Sequence, residues 1–475
     1  MTFLLLAILL GILTYWVIRR GVAPMTRTPV WLLWSIIMTP VFVVTAWMLV
    51  RGPEDPPGVA ILSLFLLCPL LYTWAVLLGR LPPKAQAGQK TDTAPPRSQP
   101  APLLDRDGES RLRQCFPLGI YFLKSIEHRP QMMICRGRLQ EKPEKAYTTV
   151  QKNVEAQFGK RFWLVLQEGR RGEPFFSLMP RQGTKAFNGW WLALGLLLIT
   201  LGTTTLAGIF FIGGYSLAEL RSQPSVAQRG LAYSLSLMLI LGVHELGHYL
   251  MARRYQIPVT PPFFIPIPGF LGTFGAFIRM RAPVPHRRAL FDVGLAGPLA
   301  GLAVTLPVLL WGLAHSQIVE APPDASLLNF EAVDPSSSIL LALLSKLALG
   351  SRLQLDQAIS LHPVAVAGCL GLVVTALNLI PVGQLDGGHV VHAMYGRRMG
   401  ANIGYVSRLL VALLAFIHPE FLLWAVLLLF TSVTDEPALN DLSELDARRD
   451  LLGLASITLL ALIVLPLPAV LASWL

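Results

Sequence analysis

Two histidines and a glutamate stand close together inside a long apolar segment of this 475-residue chain, in the stretch VHELGHYL. His244 and His248 are four residues apart, so on a helix their imidazoles lie on one face and can bind the same ion. Glu245 lies beside them, where a carboxylate can take a proton from water. The HExxH spacing therefore predicts a zinc site with an adjacent general base.

A plainer interpretation of the same stretch is a pair of buried histidines that are hydrogen-bonded to neighbouring backbone or hydroxyl groups. Ionisable side chains are costly at membrane depth, and those that occur there usually serve a function. The plainer interpretation would also have to explain Glu245 inside an apolar segment. The sequence therefore favours the metal site.

A catalytic zinc site needs a third protein ligand and one position left for water. Asp386 is the best candidate, because it follows an apolar segment that reaches Pro381 and has Gly383, Gly387 and Gly388 around it. Proline interrupts a helix and glycine permits tight turns, so this carboxylate can be directed into the protein interior. The alternative is a surface turn in which the glycines only end a span.

The remaining histidines and cysteines give weaker signals. His389 and His392 lie just past Asp386. They either support the ligands or, as we favour, pack or face water in the cytoplasmic half. Cys115 and Cys135 fall in a polar segment without the CxxC spacing of a metal or redox pair. Neither a disulfide framework nor a cysteine nucleophile is indicated.

The composition is that of a membrane protein. The chain is 53% hydrophobic and 14% charged, whereas soluble proteins carry about 25% charged residues. Its net charge of +11 is explained by lysine and arginine in cytoplasmic loops. No base-reading motif accompanies the charge, so nucleic acid is not an expected partner.

Hydropathy predicts an all-α polytopic membrane protein with about eight to ten transmembrane helices. Apolar runs that approach or exceed the length needed to cross about 30 Å of hydrocarbon lie near residues 3–18, 30–50, 58–79, 188–212, 230–251, 290–314, 361–382, 402–417, 420–432 and 451–474. The first run lacks the basic region and cleavage site of a signal peptide, so we expect it to be retained.

Changes in composition divide the chain into five predicted regions. Residues 1–80 form N-terminal transmembrane helices, 81–103 a Pro/Ala-rich linker, 104–184 a cytoplasmic α+β domain, 185–435 the metal-binding membrane core, and 436–475 a loop and final span. In the soluble domain, QMMICRGRL, RFWLVLQEG and EPFFSLMP are strand-like, and PEKAYTTVQKNVEAQFG has helical spacing and ends at Gly159.

HExxH in one span and NLIPVGQLDGG in a later one resemble the site-2 protease family of intramembrane metalloproteases, peptidase family M50. PPFFIPIPGFLGTFGAFIRM, between these motifs, is similar to the family's membrane-associated β-hairpin or re-entrant loop. FDVGLAGPLAG is similar to the start of its next span. A soluble domain with ICRGRL, where relatives carry an RGNLR-like element, resembles the cyanobacterial and chloroplast branch. That branch is named for ethylene-dependent gravitropism-deficient and yellow-green plants.

The resemblance implies a function for each motif residue. His244, His248 and Asp386 would bind one Zn²⁺ per chain, and Glu245 would be the catalytic base. Asn378 would contact the substrate or the oxyanion. The expected substrates are transmembrane segments of other proteins in a lipid bilayer. The expected location is a bacterial, cyanobacterial-type cytoplasmic or thylakoid membrane, with the site towards the cytoplasm.

Two other classes of function are weighed against this one. A non-proteolytic metal-binding chaperone or regulatory factor would have no need of Glu245 as a base. A transporter would show matching broken spans, and the sequence has no such pair. For residues 263–281, the sequence leaves two interpretations equally open: a strand edge that binds substrate, and an ordinary packing loop.

Overall fold

A computed structural model describes residues 26, 28–51, 103–129, 132–169, 172–181, 189–267, 269, 271–320, 333–353, 357–417, 421, 424–425, 427–428 and 431–468, with single positions within 11–19 and 68–79. The linker predicted at 81–103 lies, apart from Leu103, outside these residues. The same holds for most of the spans predicted near 3–18, 58–79 and 420–432.

The chain forms two compact units, Met1–Ser98 and Gln99–Leu475, and their boundary falls within the predicted linker. In the first unit, helix α1 occupies Val30–Arg51. The apolar sequence of this helix agrees with the span predicted at 30–50. The second unit contains the metal-binding motifs.

The second unit begins with a four-stranded antiparallel sheet and two helices. These elements are α2 (Arg106–Gln114), β1 (Tyr121–Arg129), β2 (Met132–Leu139), α3 (Pro143–Phe158), β3 (Phe162–Glu168) and β4 (Pro174–Pro180). The strand order is β1-β2-β4-β3. Strands β2, β3 and β4 and helix α3 were predicted, and Gly159 ends α3 with a positive φ of 61°. Helix α2 and strand β1 were not predicted.

This sheet has its own core, because α3 places an apolar stripe against it. Tyr147, Val150 and Val154 of α3 are buried together with Leu166 and Phe176 of the sheet. Apolar residues spaced three and four apart produce that stripe. This region, which the sequence predicts to be soluble and whose sheet is called the soluble sheet below, is therefore α+β, as its sequence pattern predicts.

Helices dominate the rest of the second unit. Its elements are α4 (Trp190–Ala207, continued by a π-helical turn at Gly208–Ile212), α5 (Leu217–Ser222), α6 (Pro224–Arg254), β5 (Phe263–Pro266), β6 (Thr273–Phe277), α7 (Arg287–Ala314), β7 (Gln317–Glu320), α8 (Ile339–Leu349), β8 (Gln357–Ser360), α9 (Pro363–Leu379), α10 (Asp386–Ile417) and α11 (Ala447–Val464). A break at Gly396, where φ is +83°, divides α10.

Among the described residues, three helices are long and apolar enough to cross a membrane: Trp190–Ile212, Pro224–Arg254 and Arg287–Ala314. They coincide with predicted spans. The segment predicted at 361–382 contains the 17-residue α9, which is shorter. The chain is therefore a mainly helical membrane protein, and the predicted total of eight to ten spans remains a prediction.

The segment resembling a membrane-associated hairpin forms two antiparallel strands, β5 and β6, with Phe263 opposite Phe277. Their turn lies against α4, where the Thr203 hydroxyl donates to the Gly272 carbonyl at 2.7 Å. A side chain at Gly272 would overlap the backbone of Thr204, and φ there is +81°, so glycine is required. The turn is thus fixed to the membrane helices.

The thiols of the soluble sheet should be unreactive in the folded chain. Burial raises the pKa of Cys115 to about 11 and that of Cys135 to about 12. At pH 8 only about one Cys115 in a thousand would be the reactive thiolate. We expect iodoacetamide to label neither residue in the native protein, and both after denaturation, as measured by peptide mass spectrometry. Labelling of the native chain at the rate of a free thiol would contradict this burial.

Candidate metal centre

Helix α6 carries His244, Glu245 and His248 within a single turn. All three side chains are buried, with 3%, 7% and 8% of their surface exposed. Because Cβ positions four residues apart share a helix face, both imidazoles point the same way. The local helix therefore places two of the predicted ligands and the predicted base together.

Asp386 is the first residue of α10, directly after the turn that follows α9. That turn is tight, because a side chain at Gly387 would overlap the Leu379 carbonyl, and one at Gly388 the Gly383 carbonyl. Gly383 also has a positive φ of 51°. These glycines bring the start of α10 back into the helical core, as the sequence pattern predicts.

The predicted ligands meet at one point. The Nε2 atoms of His244 and His248 are 3.2 Å apart, and Asp386 Oδ2 lies 3.5 Å from the first and 3.2 Å from the second. Ligands about 2.0–2.1 Å from a tetrahedral zinc ion would lie about 3.4 Å apart. Among the described residues, these three form the group of histidine, cysteine and acidic side chains able to hold a metal. The donor set and its spacing fit zinc, with one position left.

A backbone carbonyl orients one of the imidazoles. His248 Nδ1 donates to the Val293 carbonyl of α7 at 2.7 Å. A carbonyl can only accept, so the proton is on Nδ1 and the Nε2 lone pair is available for a metal. Hydrogen bonds of this kind fix the ring orientation of metal-binding histidines.

Glycines of α7 make room for both histidine rings. A side chain at Gly297 would overlap the His248 ring, and one at Gly301 would lie 3.1 Å from His244 Nδ1. Gly294, Gly297 and Gly301 share a helix face, which lies against α6 and the start of α10. Their close spacing in GLAGPLAG indicates tight packing, but the sequence does not show that the histidines are what they face.

Two further groups reach the predicted base and ligands. The Ile278 peptide N–H, just after β6, lies near the Glu245 carboxylate. The Asn378 side-chain nitrogen, on α9, lies 3.2 Å from His244 Nε2. The structure thus brings Asn378 to the triangle of predicted ligands. No sequence pattern indicates that Ile278 lies near Glu245.

An open cavity of about 1660 Å³ is lined by neighbours of this centre, but not by the predicted ligands or Glu245 themselves. One wall is the end of the hairpin at Ile278, and another is formed by Gln384 and His389, on either side of Asp386. Trp163 and Met179 of the soluble sheet line it as well. The centre is therefore next to a space large enough for an extended peptide.

Replacing Gly297 by alanine should lower the zinc content of the purified chain, because the new methyl group displaces the His248 ring from the ligand triangle. Gly202→Ala is the matched control, since nothing lies within 4 Å of a side chain added there. Zinc per chain can be measured by plasma mass spectrometry. Equal zinc in the two variants would show that α7 does not set the position of His248.

Part of the chain matches a known protein family, and several known proteins are similar to a larger part of it. Residues 232–417 match the profile of the family described as Peptidase family M50. The Arabidopsis thaliana protein named probable zinc metalloprotease EGY2, chloroplastic, is 30% identical over 363 residues, which are 75% of this chain and 64% of that protein. Arabidopsis thaliana EGY1, named in the same way, is 36% identical over 229 residues, which are 48% of this chain and 41% of that protein.

A more distant relative matches a similar extent. The Oryza sativa subsp. japonica protein named probable zinc metalloprotease EGY3, chloroplastic, is 24% identical over 365 residues, which are 73% of this chain and 62% of that protein. The chain thus spans less than two thirds of the length of these three relatives. Residues 232–417, which carry both motifs, therefore match peptidase family M50, and the chain is similar to the EGY proteins over as much as three quarters of its length.

Proposed function

We propose that this protein is an intramembrane zinc metalloprotease that hydrolyses peptide bonds within or near transmembrane segments of other membrane proteins. The observation that carries the proposal is the buried Glu245 beside the triangle of His244, His248 and Asp386. The relatives, which are named probable zinc metalloproteases, support it. A non-proteolytic metal-binding factor would leave a carboxylate at position 245 unexplained.

His244, His248 and Asp386 would hold one zinc ion per chain. When bound, zinc supplies Lewis acidity, which acidifies water and polarises the carbonyl of the bond to be cut. The chain itself supplies the orientation of the donors, through the Val293 carbonyl and the tight turn before Asp386. The glycines of α7 keep other side chains out of the space that the imidazoles occupy.

Glu245 would move the protons of the reaction. Its carboxylate takes a proton from the attacking water and delivers it to the nitrogen of the leaving amine. The backbone of Ile278, just after β6, lies beside this carboxylate. Asn378 would donate a side-chain N–H to the carbonyl oxygen that becomes negatively charged, since its amide nitrogen lies beside His244 Nε2.

Strand β6 would hold the substrate in an extended form. A helical segment hides its peptide groups, so the target must unwind before it is cut. Within the described part of the chain, the β5–β6 sheet has two strands, and each has one edge without a strand beside it. A peptide added at the edge of β6 would run alongside the residue that contacts Glu245. The adjoining cavity supports this placement.

The finer architecture is part of the proposal. We propose eight to ten transmembrane helices, with spans in 1–80, a linker at 81–103, a cytoplasmic domain at 104–184, a protease core at 185–435, and a loop and span at 436–475. Arginines at the end of α6 and just after the Gly396 break in α10 support a site towards the cytoplasm. The relatives are named chloroplastic, so they do not support the bacterial membrane predicted above. A thylakoid-type membrane agrees both with their names and with the expectation from the sequence.

Ligand and base variants should separate metal binding from catalysis. We expect about one zinc per wild-type chain, and loss of most of it in Asp386→Asn and His248→Ala, because each removes a donor of the triangle. Glu245→Gln should keep zinc but cut a single-span test protein at least about 100-fold more slowly. An Asp386→Asn variant that binds zinc as tightly as wild type would contradict the ligand set.

Proline at Phe274 should reduce cleavage without changing zinc content. Phe274 is exposed and lies in β6, and proline removes its backbone N–H and resists strand pairing. Phe274→Ala, which removes the ring but keeps the N–H, is the control. Equal cleavage rates of a single-span test protein by the proline and alanine variants would rule out a role for this strand edge.

A further inference from the structure

The segment Asp435–Ser443, which precedes α11, adds one parallel bridge to the edge of the soluble sheet. It pairs in parallel with the outer edge of β3, where the Leu166 N–H donates to the Leu439 carbonyl at 2.7 Å. The Asp441 N–H donates to the Leu166 carbonyl at 2.9 Å. Residues far apart in sequence thus complete the edge of the soluble sheet.

The same segment is hydrogen-bonded to the residues just before α7. Its Leu439 N–H donates to the Val284 carbonyl at 2.8 Å, and its Asn440 N–H to the Pro285 carbonyl at 2.9 Å. Asp435–Ser443 therefore lies between the soluble sheet and the helix that makes room for the metal-binding histidines.

Its two buried carboxylates bind histidines of α10. His392 Nδ1 lies 2.7 Å from Asp435 Oδ2, and His392 Nε2 lies 2.8 Å from Asp441 Oδ1. Asp435 Oδ2 also receives His389 Nδ1 at 2.8 Å. The exposed fractions of His392, Asp435 and Asp441 are 1%, 6% and 3%. Such a buried polar network is stable only while each member keeps its partners.

Charged groups around this cluster strengthen the attachment. Arg287 Nε, at the start of α7, is 3.8 Å from Asp441 Oδ1, and Arg397 Nε donates to the Asp435 backbone carbonyl at 3.0 Å. Arg398 of α10 donates to the Gly169 carbonyl, in the connection between β3 and β4. The first part of α10 is therefore tied to the soluble sheet both directly and through Asp435–Ser443.

This tie begins one turn from a metal ligand. His389 follows Asp386 by three residues on α10, and His392 follows by six, so the histidines and Asp386 belong to the same two helical turns. Gly294 of α7 packs against this turn, since a side chain there would lie 3.0 Å from His389 Cβ and 3.2 Å from the Asp386 carbonyl. A shift of the cluster would move Asp386 with it.

We propose that His392, held between Asp435 and Asp441, is a positioning residue that sets the place of Asp386 and couples the soluble sheet to the metal centre. This inference rests on the proposed zinc site. It assigns to the soluble domain a part in forming the catalytic centre, since displacement of the sheet edge would pull the ligand-bearing turn of α10.

Zinc affinity tests the positioning role. In competition with a chelator, His392→Gln should bind zinc about 10- to 100-fold more weakly than wild type, as is typical when partners of the ligands are lost. Tyr121→Phe is the control. It removes a buried hydroxyl of the soluble sheet, which donates to the Cys135 carbonyl of that sheet and lies away from the cluster around His392. If zinc affinity falls equally in the two variants, or in neither, the positioning role is wrong.

Hydrogen exchange of the wild-type chain tests the coupling directly. Coupling is reciprocal, so zinc should slow amide exchange in peptides covering 162–168 and 436–443 compared with the chelator-treated protein. Asp441→Asn should reduce that zinc dependence. Zinc uptake without any change in exchange would overturn this inference alone, whereas a wild-type chain that takes up no zinc would overturn the proposed function as well.

Discussion

The structure depends on one constraint: polar metal-binding groups must be buried among apolar helices without being left unpaired. Each imidazole and carboxylate of the centre costs free energy when it leaves water, unless a partner compensates. Here His248 has the Val293 carbonyl, Glu245 lies beside the Ile278 backbone, and Asp386 has both histidines. Helices α6, α7 and α10 can approach closely enough to supply those partners only because glycines lie between them.

That constraint explains why the reactive groups come from so few elements. Two proposed ligands and the proposed base share a single turn of α6, so their relative placement follows from helix geometry alone. Only Asp386 must be brought from elsewhere, and the turn between α9 and α10 does so. The position of α10 relative to α6 is therefore the one long-range distance that the centre requires, and contacts with α7 and Asp435–Ser443 determine it.

The sequence predicts the parts of the structure that depend on local pattern. HExxH, the glycines around Asp386, the strands β2, β3 and β4 and the helix ending at Gly159 are all visible as spacing or turn chemistry. Strand β1 was not predicted, because its YFLKSIEHR sequence mixes charged and apolar residues without regular alternation. The pairing of β3 with Leu439, nearly three hundred residues later, depends on tertiary contacts that no local pattern reports.

The candidate site shows the same division. Its ligands and base could be named from residue types, and Asn378 from the resemblance to a family. The Val293 carbonyl and the Ile278 N–H could not, since backbone groups are the same at every residue. His389 and His392 were interpreted as packing or water-facing, whereas they join a buried network with Asp435 and Asp441.

The glycine face of α7 makes the protein intolerant of residues inserted before or within that face. Each residue of an α-helix turns the chain by about 100°. One residue inserted just before Gly294 would rotate the helix relative to its neighbours and place bulky side chains against both imidazoles. Among homologous chains, the spacing from the glycines of α7 to the metal ligands should therefore be constant.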